Sequence, residues 1–169
     1  TLTYQPRMKV THQGINDESS WARGHGWGIY GYTLAYRYTK DNRYLDRAIT
    51  TADYFIHHKN MPDDGIPYWD FDDISIPDAP RDVSAGTIVA SALVEIYEFT
   101  KNKKYLDYSK KVINTLKSTD YILEPDFEAP FILDHSTGNW PKNDEIDEPI
   151  VYGDYYFLET LIRLKNIKK

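Results

Sequence analysis

Tyr38-Thr39-Lys40 followed by Tyr44-Leu45-Asp46 returns 61 residues later as Phe99-Thr100-Lys101 followed by Tyr105-Leu106-Asp107. Apolar residues at helical spacing flank both copies: Tyr44, Leu45, Ala48, Ile49, Ala52, Phe55 and Ile56 after the first, and Ala85, Ile88, Val89, Ala92, Leu93 and Ile96 before the second. A link as short as Thr39-Lys40-Asp41 obliges the helices it joins to pair antiparallel. One helical hairpin cannot bury its apolar face alone. A repeated hairpin therefore points to an all-α fold in which hairpins stack or close into a ring.

The same patterning predicts helices near residues 21–38, 42–58, 82–100, 103–116 and 154–165, with Asp82 and Asp154 as N-caps. Residues 1–15 read as irregular. Residues 60–81 form a long loop rich in Pro, Gly and Asp, and 118–151 a second irregular stretch with a short hairpin around Phe131-Ile132-Leu133. Trp69, Asp70 and Arg81 are expected to knit the first loop to the helices. Two hairpins and a closing helix leave that last helix without a partner, which is expected upstream or in another chain. The 169 residues suffice for one domain with a real core, and the start at Thr1-Leu2-Thr3 reads as the trailing part of something longer.

Chemistry concentrates in the opening of the first helix, Trp21-Ala22-Arg23-Gly24-His25-Gly26-Trp27-Gly28-Ile29-Tyr30-Gly31-Tyr32. Residues four apart share a helix face, so Arg23 lies beside Trp27, and Trp21 beside His25. A guanidinium grips a carboxylate through two parallel hydrogen bonds while an aromatic face covers sugar C–H groups, a combination suited to an anionic sugar such as a uronic acid. Each glycine costs a helix about 0.5–1 kcal/mol relative to alanine, a cost that close approach by a neighbouring helix or a ligand would offset. Gly26-x-Gly28-x-x-Gly31 spells a dinucleotide-binding string, but a polar cap precedes it where that motif needs a strand, so this reading is rejected.

A net charge of −6 argues against a nucleic-acid partner, and no apolar run approaches a membrane span. Cysteine is absent, which removes disulfides, thiolate metal sites and cysteine nucleophiles. The 15 tyrosines and 4 tryptophans suit either helix packing or a carbohydrate cleft. No H-E-x-x-H or EF-hand loop is present, and no metal or cofactor is expected.

Three motifs in order, His12-Gln13-Gly14 with Ser20-Trp21-Ala22-Arg23-Gly24-His25-Gly26-Trp27, then Pro67-Tyr68-Trp69-Asp70-Phe71 with Arg81-Asp82-Val83-Ser84-Ala85, then Tyr152-Gly153-Asp154-Tyr155-Tyr156-Phe157, resemble the unsaturated glucuronyl hydrolases of glycoside hydrolase family 88. The resemblance spans nearly the whole chain. It implies an (α/α)6 barrel, of which this is about the C-terminal half, and a metal-free reaction. Members of that family remove the 4,5-unsaturated uronic acid at the non-reducing end of lyase-generated oligosaccharides. They protonate and hydrate its vinyl ether double bond, and the resulting hemiketal then opens. A bacterial periplasmic or cytoplasmic setting goes with it.

By that resemblance the catalytic aspartates belong to earlier hairpins, so no catalytic residue is assigned here; Asp17, Asp63 and Asp64 read as solvated loop or cap positions. Substrate-binding roles carry over to Arg23 near the uronate carboxylate, Gln13 on sugar hydroxyls and Trp27 as a pocket wall. Weaker expectations attach to Trp21, to His25, which stands where the family frequently has Gln, and to His135 at the mouth. The bland alternatives are an inter-hairpin salt bridge for Arg23, a loop-stabilising amide for Gln13, packing for the tryptophans and an ordinary loop histidine for His135. An unsaturated rhamnogalacturonyl hydrolase is the enzymatic rival. A non-catalytic helical-repeat scaffold is the rival of another class.

Overall fold

The repeat folds as two copies of one reversal in this computed structural model, which describes residues 7–118, 120–124 and 130–167. Helix α1 (Ala22–Thr39) ends on Lys40 at φ 57°, whose N–H donates to the Tyr36 carbonyl, and Asp41 caps α2 (Asn42–Ile56) by accepting from the Arg43 N–H. Helix α3 (Val83–Thr100) ends on Lys101 at φ 59°, donating to Tyr97, and Asn102 caps α4 (Lys103–Leu116) by accepting from the Lys104 N–H. A left-handed residue at the helix end turns the chain while satisfying a terminal carbonyl, and the cap immediately after it starts the return helix.

Ion pairs fix how the helices sit. Arg23 near the start of α1 pairs with Asp82 at the start of α3, and Arg37 near the end of α1 pairs with Glu95 towards the end of α3. Helix α5 (Val151–Asn166) follows suit, with Arg163 on the same Glu95. Helices α1, α3 and α5 are thus parallel, with α3 in the middle, and α2 and α4 run antiparallel to them. A β-carbon built on Gly26 would lie 3.5 Å from the Ala85 carbonyl, an ordinary contact distance, so α1 lies against α3 here at a separation that alanine would also allow.

Every residue of α3 from Val83 to Ile96 is buried. By length and composition Val83–Thr100 is apolar enough to cross a membrane, which tempers the expectation from apolar runs alone, but 78% of it is buried within this fold. An all-round apolar helix is what the centre of a helical array requires. On one side it meets Ala22, Ile29, Ala52 and Phe55, and on the other Val112, Ile113 and Phe157. Full burial of each large aliphatic side chain contributes about 1.5–3 kcal/mol.

Three expectations change. Helix α5 begins at Val151, not Tyr155, and Ile150 precedes it without a side-chain cap. Asp154 lies inside the first turn, where its carboxylate accepts the Ile132 and Leu133 N–H groups at 2.9 Å each. The fold is helical apart from a regular hairpin, which is displaced from Phe131–Leu133 to strands β1 (Ser136–Asn139) and β2 (Asp144–Glu148), joined by a 3-10 turn at Trp140–Lys142. Leu133 forms only an isolated bridge with Ile122.

The loop over 60–81 is stitched to the helices as expected. Ala22 N–H donates to the Trp69 carbonyl and Phe71 N–H to that of Ser20. Asp70, fully buried, accepts from the Ile15 N–H and Ser19 Oγ. Trp69 Nε1 donates to Asp73, and Arg81 grips Asp64 and the Ile66 carbonyl.

Candidate functional site

The parallel starts of α1, α3 and α5 lie on one rim, together with the 60–81 loop and the β1–β2 strap. Arg23 sits at the centre of that rim and is 2% exposed. Its guanidinium donates to Asp82 Oδ2 at 3.0 Å, to the Thr137 and Gly138 carbonyls and, at 3.4 Å, to Ser84 Oγ. The Trp21 ring covers it at 5.0 Å and Tyr152 at 5.7 Å. The guanidinium is thus enclosed by protein acceptors from α3 and the strap. Two needs explain the placement. Asp82 caps α3 in full burial, where burial pushes its carboxyl up and Arg23 pulls it back down, and the strap carbonyls lie away from water and need donors.

Gln13 donates from Nε2 to the same Gly138 carbonyl at 3.2 Å. The strap fits closely: a β-carbon on Gly138 would stand 2.6 Å from Glu145 Cβ, so only glycine fits there. His135, in the left-handed region at φ 62°, pairs through Nδ1 with Asp147 of β2 at 2.6 Å and meets the edge of Tyr121. These contacts tie His135 to the second strand of the hairpin.

Trp27 stays available. It is 38% exposed, 5.9 Å from Tyr152 and 5.5 Å from Tyr156 between ring centres, and Tyr156 in turn meets Tyr30 edge-on. Burial, with Tyr30 and Glu159 nearby, pushes the Tyr156 phenol up to about 12. It remains a neutral hydrogen-bonding group at ordinary pH. Tyr152 and Tyr156 are wall residues that the sequence motifs alone do not mark as such. The usable signal was their spacing of four on the last helix, which puts both rings on the face that meets Trp27.

Trp21 and His25 line a second depression, a cleft of about 300 Å³ shared with Thr11, Ser19, Gly24 and Thr51. His25 packs on Tyr54, whose ring also meets His58. Burial first and then the neighbouring His58 hold the His25 imidazole below its usual pKa, with Asp70 and Asp72 pulling the other way. The tryptophan and histidine thus share a face, as the helical spacing predicts, but it is not the face that carries Trp27 and Tyr152.

Across 167 residues the chain is 58% identical to an unsaturated glucuronyl hydrolase of Formosa agariphila, a match covering 99% of this chain and 42% of that one. The chain is a homologue of the unsaturated glucuronyl hydrolases. It is also 35% identical to an unsaturated chondroitin disaccharide hydrolase of Streptococcus agalactiae, over 95% of this chain and 41% of that one. Among solved structures, an unsaturated glucuronyl hydrolase specific for heparin matches with a TM-score of 0.92 at 43% identity, over 95% of this chain and 43% of that one. The chain spans about two fifths of the length of the curated relatives it matches. No protein-family model matches it.

The arc of α1 to α5 is accordingly part of the α/α barrel of the unsaturated glucuronyl hydrolases. Hydration of an enol ether needs a carboxyl free to give up a proton. Among the described residues, Asp70, Asp73, Asp82, Glu95 and Asp154 are buried, and all are committed. Asp70 accepts from Ser19, Asp73 from Trp69 and Ser75, Asp82 from Arg23 and Ser84, Glu95 from Arg37 and Arg163, and Asp154 from two backbone N–H groups. Asp17 accepts the Thr11 N–H and Asp64 pairs with Arg81, while Asp63 is exposed.

Proposed function

We propose that the protein to which this chain belongs removes a 4,5-unsaturated uronic acid from the non-reducing end of an acidic, lyase-generated oligosaccharide. A proton is delivered to C4 of the vinyl ether and water adds at C5. The hemiketal so formed opens, and the remaining saccharide leaves with its hydroxyl restored. The observation that carries this reading is the open ring of Trp27 between Tyr152 and Tyr156, on the rim of a scaffold homologous to enzymes named for that substrate class.

In this reading Trp27 covers the sugar's C–H face, and Gln13, steadied on Gly138, offers its amide to a hydroxyl. Arg23 acts as a positioning residue. It fixes the strap at Thr137 and Gly138, so direct contact with a uronate requires the strap carbonyls to release the guanidinium first. The acid that protonates C4 comes from outside this chain.

Loss of the unsaturated uronate's ultraviolet absorbance tests the reading. The isolated chain is expected to show no turnover, and the full-length protein to show it. In that protein Trp27→Ala should raise KM about 10–100-fold, as loss of one stacking contact of roughly 1.4–2.8 kcal/mol would. Turnover by the isolated chain would place the acid among these residues, and an unchanged KM in Trp27→Ala would remove the aromatic wall from the site.

A further inference from the structure

Helix α4 runs against the charge of the chain that carries it. Its buried face is built from Tyr105, Leu106, Ser109, Val112, Ile113 and Leu116. Its open face holds Lys103, Lys104, Lys110, Lys111 and Lys117 with a single carboxylate, Asp107, on a chain whose net charge is −6. The hairpin repeat does not demand these lysines, because the same positions 61 residues earlier are Asn42, Arg43, Ile49, Thr50 and Ile56. Nor does the helix. Lys103 and Lys104 open its first turn, which holds no acidic residue, at the end where the backbone dipole disfavours a cation. Among the described residues only Lys104 of the five pairs with a carboxylate, that of Asp53 at 2.7 Å.

Residues seven apart lie almost above one another on a helix, so Lys103, Lys110 and Lys117 form a straight row with steps of about 10 Å. Lys104 and Lys111 stand beside it as a shorter second row. Because α4 runs antiparallel to α3, whose start lies on the rim, the row climbs from the far end of the fold to the level of the rim. An ammonium on a flexible four-carbon stem suits a hydrated anion held loosely, not one gripped in a fork. We infer that the outer face of α4 is an accessory docking track for a linear acidic polysaccharide with one carboxylate per disaccharide, a repeat close to the step between the lysines. The track keeps the protein on the polymer whose lyase-cut ends it trims. A folded acidic partner has no reason to match a straight row of even steps. The class of polymer rests on the substrate reading above, but binding along α4 is measured apart from turnover at the rim.

The test is affinity electrophoresis of the full-length protein through hyaluronan, which carries one carboxylate per disaccharide and no sulfate, with neutral dextran as the control. Hyaluronan at low salt should retard the protein and dextran should not. The retardation should fade towards 1 M salt, where screening shortens the reach of a charge to about 3 Å. Lys103→Glu/Lys110→Glu/Lys117→Glu should raise the apparent Kd about tenfold or more while leaving turnover of an unsaturated disaccharide unchanged. Its melting point should stay within about 2 °C of the parent's, since the three lysines face water and Lys103→Glu sets an acid in the first turn. Lys9→Glu/Lys59→Glu/Lys165→Glu, which changes the net charge equally at other exposed positions, should keep most of the retardation. Equal losses in the two variants would overturn the track, as would retardation that ignores salt or a parent protein that hyaluronan does not slow. Retardation without turnover would overturn the substrate reading and uphold the track.

Discussion

Gln13 and Arg23 meet on one acceptor, the carbonyl oxygen of Gly138. The two side chains come from either side of the turn into α1, and together they hold a strand that belongs to a hairpin more than 110 residues further on. The rim is therefore one cross-linked unit in which loop, helix start and strap move together. Residues that look like independent ligands in the sequence are mechanically coupled.

The clearest consequence concerns the Arg23–Asp82 pair, whose side chains are 3% and 0% exposed. Removing one partner of a buried pair leaves the other charged without compensation, at about 3–5 kcal/mol. Arg23→Ala and Asp82→Asn are each expected to cost that much in urea unfolding. The double variant should cost well under the sum, and amide exchange at Thr137 and Gly138 should rise in Arg23→Ala. Additive losses would show that the two do not interact.

Gly138 offers a steric test. Alanine there meets Glu145, and about 1–3 kcal/mol should be lost through displacement of the strap. Glu145 has φ 51°, a conformation glycine adopts freely, so Glu145→Gly should restore much of the stability of Gly138→Ala. Chemical denaturation of the single and paired variants checks both statements.

Titration of His25 gives a pH signature. Its folded pKa lies below the ordinary 6.5, so above that value both folded and unfolded forms are neutral and its contribution to stability is whole. As the pH falls below 6.5, the unfolded chain binds a proton that the folded chain refuses, and stability declines until the folded pKa is reached. Melting curves from about pH 7.5 to about pH 5 should fall less steeply for His25→Gln than for the parent. Some slope should persist, because His58 is shifted the same way by burial.

Glu95 ties the parallel helices α1, α3 and α5 together, accepting Arg37 Nε at 2.5 Å, Arg37 Nη2 at 2.6 Å and Arg163 Nη1 at 3.0 Å while only 4% exposed. Glu95→Ala should leave the mostly covered Arg163 with Glu159, at 3.4 Å, as its remaining acid and unlink Arg37 from α3, and cost about 3 kcal/mol in thermal unfolding. Arg37→Ala should cost less, since Arg163 remains to pair with the carboxylate.

How much of this was readable in advance depended on whether the cause was local. Lys40 and Lys101, with the caps Asp41 and Asn102 behind them, are set by a few neighbouring residues, and the repeat placed both turns correctly. Asp154 resembles a cap because its type suits one, but the backbone at Ile132 and Leu133, about 20 residues upstream, has the stronger need of its oxygens. The sequence brought Arg23 and Trp27 to one face of a helix, and they do share the neighbourhood of Tyr152. What it could not convey was that Thr137 and Gly138 would present their carbonyls to the same guanidinium, since that contact exists only once the chain has closed on itself.

Helices α1, α3 and α5 point the same way, and this has an electrical result. Peptide dipoles leave about half a positive charge at each helix start. The antiparallel α2 and α4 offset part of that charge, but the positive poles of α1, α3 and α5 all open onto the rim that carries Trp21, Asp82 and the strap. A chain whose side chains sum to −6 thus gathers three positive backbone poles on one rim, two of them met by the carboxylates of Asp82 and Asp154.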